Sequence, residues 1–107
     1  MILKIDTTQR EEVTVILADK NGKETKLVEN QKVGSQALLP LIVKILKDKK
    51  LEFKDITGIE VNPGPGSFTG TRVGVSVANI LGYALNIPVN GKKGNIVNPK
   101  YEKSKFD

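Results

Sequence analysis

Residues 62–74 read NPGPGSFTGTRVG and concentrate the groups that could do chemistry. Three glycines (Gly64, Gly66, Gly70), two hydroxyls (Ser67, Thr69) and a guanidinium (Arg72) stand directly before what the pattern predicts to be a helix. Free backbone N–H groups at a helix start bind anions such as phosphate, and glycines let the backbone come close to one. The loop is not a Walker A motif, because no Gly-Lys-Ser/Thr follows the glycines, and it is not GxGxxG, because Thr69 falls where the third glycine would stand. A structural reading competes: Ser67 or Thr69 caps the helix, while Pro63 and Pro65 stiffen the approach. Asp6-Thr7-Thr8, at the end of an apolar run, forms a second hydroxyl and carboxylate cluster that also reads as an ordinary turn. Arg72 lies in the first helical turn, where the dipole disfavours a cation. A carboxylate such as Asp6, a partner's acid or a phosphate would offset it, as would water around an exposed side chain.

Composition limits this chemistry. The 107 residues contain neither histidine nor cysteine, which removes the commonest general base, the commonest metal ligand, thiolate nucleophiles and disulfides. There is no serine triad. An enzyme would have to work with carboxylates, lysines and hydroxyls, as a small nucleotide-binding or phosphotransfer protein using Asp6, Thr7, Ser67 and Thr69. The net charge is +5, and residues 92–107 carry much of it, with Lys92, Lys93, Lys100, Lys103 and Lys105 against Glu102 and Asp107. A lysine-rich tail fits a solvated end or a tRNA-binding accessory. No apolar run approaches the ~20 residues of a membrane span and no leader pattern is present, so a cytoplasmic location is expected.

The elements that must position these groups follow from periodicity. Residues 1–5, 12–19 and 23–29 are expected strands, the last two joined by the two-residue hairpin signal Asn21-Gly22, with the third polar enough for an edge. Residues 34–50 change to a helical period, with Pro40 forcing a start near Leu38 or a bend. Residues 56–62 form a buried strand, 70–85 a second helix and 87–90 a last short strand. The order β-β-β-α-β-α-β predicts an α/β mixed sheet with helices packed on it. Residues 1–91 form one lobe and 92–107 a lysine-rich tail.

Gly70, Gly74, Ala78 and Gly82 recur every four residues on one side of the second helix. Two interior helix glycines cost roughly 2 kcal/mol relative to alanine, so a close neighbour must offset them. That neighbour is either the lobe's own sheet or a helix of another chain. Both helices are apolar over more than one face, which points to a covering partner.

The runs ILKIDTT, LLPLIVKIL and above all NPGPGSFTGTRVGVSVANILGYALNIPV resemble the TsaB (YeaZ) family over about residues 1–91. The resemblance implies a ribonuclease-H-like lobe of the actin-like ATPase superfamily. It implies a non-catalytic subunit, without a cofactor or metal, that supports threonylcarbamoyladenosine synthesis in tRNA. Such proteins pair with TsaD, the transferase, through the helices of the first lobe. A TsaE-like ATPase joins them, tRNA is met only indirectly, and alone they form homodimers. The implied partner-binding residues are Gln36, Leu39, Ile42, Val43, Leu46, Arg72, Gly74, Val75, Ala78, Leu81 and Gly82. Asp6, Thr7, Thr8, Gly64, Gly66, Ser67, Thr69 and Gly70 stand as phosphate-loop remnants. Three features depart from the family. The usual second lobe does not follow, as in a minimal form or a fragment. Val33-Gly34-Ser35-Gln36 stands where a histidine is common, and a lysine-rich tail replaces the helix expected after Pro88-Val89.

Overall fold

Val13, Val15 and Leu17 alternate with Thr14 and Ile16, the pattern of a strand buried on one face. They lie in β2 (Glu12–Ala18), between β1 (Ile2–Asp6) and β3 (Glu24–Asn30). The computed structural model describes residues 1–9, 11–30, 37–66, 68–94 and 96–99, without the side chains of Phe68 and Thr69. Gln36, Ser67 and residues 100–107 therefore lie outside the described residues.

The remaining elements are α1 (Leu38–Asp48), a short 3-10 turn (Phe53–Asp55), β4 (Gly58–Val61) and α2 (Phe68–Leu85). The sheet order is β3-β2-β1-β4, antiparallel except for the parallel β1–β4 pair. This is the expected ribonuclease-H-like α/β lobe. The predicted final strand contracts to a single parallel bridge, Ile59↔Val89. The side chain of Asn90 extends that bridge: its Nδ2–H donates to the Val61 carbonyl, and its Oδ1 accepts the Val61 N–H.

The hairpin also differs from expectation. Gly22 N–H donates to the Asp19 carbonyl and Asp19 N–H to that of Lys23, so three residues close the turn, with Gly22 at φ +82°. Asp19 Oδ1 accepts the N–H groups of Asn21 and Lys23 and holds it. Helix α1 starts at Leu38, and Pro40 occupies its first turn, where an N–H would lack an intrahelical acceptor. Its end is a left-handed cap at Lys50 (φ +56°), with Lys50 N–H on the Lys47 carbonyl and Leu51 N–H on that of Leu46.

Leu3, Ile5, Val13, Val15, Leu17, Ile59 and Val61 face one way. Helix α1 covers the β2–β3 side of that surface and α2 the β4–β1 side. The core is one layer of apolar side chains between the sheet and two helices. The opposite sheet face, with Ile2, Lys4, Asp6, Thr14, Ile16 and Glu60, lines an open concavity of about 790 Å3. No described helix is long and apolar enough to cross a membrane.

Candidate functional site

The glycine loop is laced to the end of β1. Asp6 Oδ1 accepts from the Thr8 N–H at 2.9 Å and the Thr8 hydroxyl at 2.6 Å, and its Oδ2 accepts from Asn62 Nδ2–H at 3.2 Å. Partial burial pushes the Asp6 carboxyl up, but the hydrogen bonds from Thr8 and Asn62 together outweigh it and hold it below the ordinary carboxylate range. Thr7 is fully buried and donates its hydroxyl to the Gly70 carbonyl at 2.5 Å. Asn62 Oδ1 accepts the Gly64 N–H, and Gly64 takes φ +106° before a cis bond to Pro65.

Gly66 packs so tightly on Thr8 and Thr71 that a Cβ there would sit 2.8 Å from the Thr8 carbonyl oxygen and 2.9 Å from Thr71 Oγ1. The Thr71 hydroxyl is buried and has no hydrogen-bond partner among the described residues. Of the expected phosphate-loop remnants, the structure brings Asp6, Thr7, Thr8, Gly66 and Gly70 together, with Gly64 one turn away. The Asp6 carboxylate, the Thr7 and Thr8 hydroxyls and the Gly70 carbonyl are engaged within the chain, and Gly66 is packed closely against Thr8. Ser67 and the Thr69 side chain lie outside the described residues.

The small-residue stripe of α2 faces the lobe's own sheet. A Cβ on Gly74 would run into Thr7, and one on Gly82 into Val89. Ala78 between them is fully buried. This packing bears on the expected partner set. Ile42, Leu46, Gly74, Val75, Ala78 and Gly82 are buried within the lobe, which leaves them little surface for another chain. Leu81 is half-buried against that core.

What remains outward is Leu39 (49% exposed) and Val43 (37%) on α1, one helical turn apart, and Arg72 on α2. Leu39, Pro40, Val43, Lys44, Lys47 and Asp48 border a shallow hollow of about 560 Å3. The structure adds Ile80 (66% exposed) and Tyr83 (91%) on α2. The signal that could have found them was present: both lie off the glycine side, so burying the stripe must turn them outward. Because both helices cover one sheet face, their outer sides look the same way.

Comparison with known proteins follows this geometry. Residues 29–97 match the family model described as TsaD, tRNA N6-adenosine threonylcarbamoyltransferase. The tRNA threonylcarbamoyladenosine biosynthesis protein TsaB of Bacillus subtilis is 32% identical over 89 residues, covering 83% of this chain and 39% of that protein. The protein of the same name from Haemophilus influenzae is 34% identical over 89 residues, covering 82% of this chain and 37% of that protein. The structure of YeaZ from Pseudomonas aeruginosa superposes with a TM-score of 0.75 at 31% identity, covering 82% of this chain and 42% of that chain. The chain thus spans well under half the length of the curated relatives it matches.

Proposed function

This chain belongs to the TsaB (YeaZ) family, and from that premise we propose that it is a non-catalytic subunit that binds a TsaD-like transferase. In doing so it supports threonylcarbamoyladenosine modification of tRNA. The observation that carries this reading is the exposure of Leu39 and Val43 on α1 and of Ile80 on α2, two helices covering one sheet face. Each such side chain contributes up to ~1.5–3 kcal/mol when fully covered, so three anchors supply much of what a stable interface needs. Lys44, Lys47 and Asp48 beside the α1 hollow provide a polar rim.

The complete lack of histidine and cysteine supports a role outside the chemistry itself. So does the engagement of the Thr7 and Thr8 hydroxyls inside the fold. The same exposed residues would pair two copies when no transferase is present, and a TsaE-like ATPase would join the transferase-bound form. The site of action on this reading is the cytoplasm, where tRNA is modified. Mixing the protein with a TsaD homologue from the same source and measuring the mass of the product tests the proposal. A heterodimer mass is expected; two separate species at micromolar concentrations would overturn it.

A further inference from the structure

Between Glu60 and Glu102 the sequence has no aspartate or glutamate, while Arg72, Lys92, Lys93 and Lys100 fall inside that stretch. The fold gathers part of it at one place. Helix α2 ends in a left-handed cap at Asn86, and Ile87 N–H returns to the Gly82 carbonyl. The chain then turns tightly at Asn90 (φ +51°) and Gly91 (φ +79°), with Val89 and Lys92 exchanging both backbone hydrogen bonds. Val97 is tied back onto α2, its N–H and carbonyl both bonded to the Asn79 amide. These bonds border a hollow of about 360 Å3 whose lining includes Asn79, Tyr83, Asn86, Lys92, Lys93 and Ile96, with no carboxylate among the described residues that line it.

Tyr83 is 91% exposed and Ile96 75%, beside two exposed lysines. An aromatic ring left in water forgoes a large burial gain, and none of the described residues covers this one. An exposed ring beside paired cations, with no acid among the described residues around it, matches the chemistry of single-stranded nucleic acid, where bases stack and phosphates seek positive charge. The open sheet face, by contrast, carries Asp6 and Glu60. We infer that the C-terminal end of α2 and the turn after it form a contact surface for unpaired nucleotides of an RNA. Tyr83 is the stacking platform, and Lys92 and Lys93 are the phosphate contacts. Leu39 and Val43 lie on α1, but Ile80 lies one turn before Tyr83 on α2, so this surface borders the proposed docking residues and the test reads RNA binding and transferase binding separately. On this inference the chain also meets RNA directly, in addition to the indirect contact that the resemblance implies.

The test is fluorescence anisotropy of the full chain with labelled dodecauridine and with an unmodified transcript of an ANN-reading tRNA, across a salt series. Tyr83→Ala is expected to weaken dodecauridine binding roughly 5- to 150-fold, while Tyr83→Phe keeps it. The double variant Lys92→Gln and Lys93→Gln is expected to weaken binding and to shrink the slope of log K against log salt by about 1.4. All three positions are exposed, so unchanged melting temperatures are expected and serve as the folding control. No binding of either probe by the unaltered protein at about 50 mM salt overturns the inference. So do variants that bind as tightly as the parent. Loss of co-purification with a TsaD homologue, with RNA binding untouched, would assign this surface to a protein instead. If RNA binds as described but no TsaD complex forms, the scaffold reading fails and this one stands.

Discussion

Thr7 fills the space that a side chain on Gly74 would need. The same threonine donates its hydroxyl to the Gly70 carbonyl one turn earlier, so the end of β1 is keyed into the glycine side of α2. Helix propensity alone makes Gly74→Ala stabilising by ~1 kcal/mol. The collision with a buried, β-branched neighbour reverses the sign, and a net loss of about 1–2 kcal/mol is expected. Chemical denaturation of the variant checks this; a stability gain would show that the stripe has slack.

The division between buried and exposed positions makes a sharp contrast among substitutions. Leu39→Asp and Ile80→Arg are expected to leave the melting temperature nearly unchanged and to abolish the mass shift with a TsaD homologue. Ala78→Arg, at a fully buried position, is expected to cost more than about 4 kcal/mol and to unfold the lobe. Circular dichroism and light scattering separate the two outcomes. A folded Ala78→Arg variant would contradict the packing described.

Thr71 offers a gain. Its buried hydroxyl has no partner among the described residues, a situation that costs about 1–3 kcal/mol. Thr71→Val keeps the branched shape and removes the polar atom, so stability is expected to rise by ~1 kcal/mol in a urea titration. A loss of stability would mean that the hydroxyl is satisfied in solution.

Acid sensitivity has a worked sign. The Asp6 carboxyl is held below the ordinary range in the folded chain. Its contribution is therefore present above the unfolded pKa and is lost as pH falls through the folded one. Thr8→Val removes one of the bonds that depress it, so the Asp6 titration, followed by NMR, is expected to move upward. The variant's deficit in melting temperature should be larger at pH 7 than below Asp6's folded pKa. A deficit independent of pH would show that Thr8 acts only through packing against Gly66.

Strands and helices were legible because each follows a period. Val13, Val15 and Leu17 announced the buried face of β2, and the switch to helical spacing over residues 34–50 announced α1. Boundaries set by local hydrogen bonds were harder. Asp19 enlarges the hairpin through its carboxylate, which the Asn21-Gly22 pair alone does not reveal. Asn90-Gly91 makes a second turn of the same chemistry, hidden because the lysines after it read as a tail. The outward apolar surface was half legible. Wide apolar arcs on both helices implied uncovered residues, and Leu39 and Val43 are among them. Which arc of α2 the sheet would claim depended on the fit of Thr7 and Val89 into the glycines, a three-dimensional match that spacing does not encode. Ile80 and Tyr83 became visible as surface residues only once that match was known.

The parallel pairing of Ile5 with Val61 also sets an order of events at the ribosome. β1 is translated before any other strand of the sheet, yet one of its two flanks waits for a segment made 56 residues later. At 5–20 residues per second that interval is about 3–11 s, during which an apolar strand has a half-empty flank. Nascent chains of this protein should therefore engage hydrophobic-binding chaperones until β4 emerges, and release them as α2 follows.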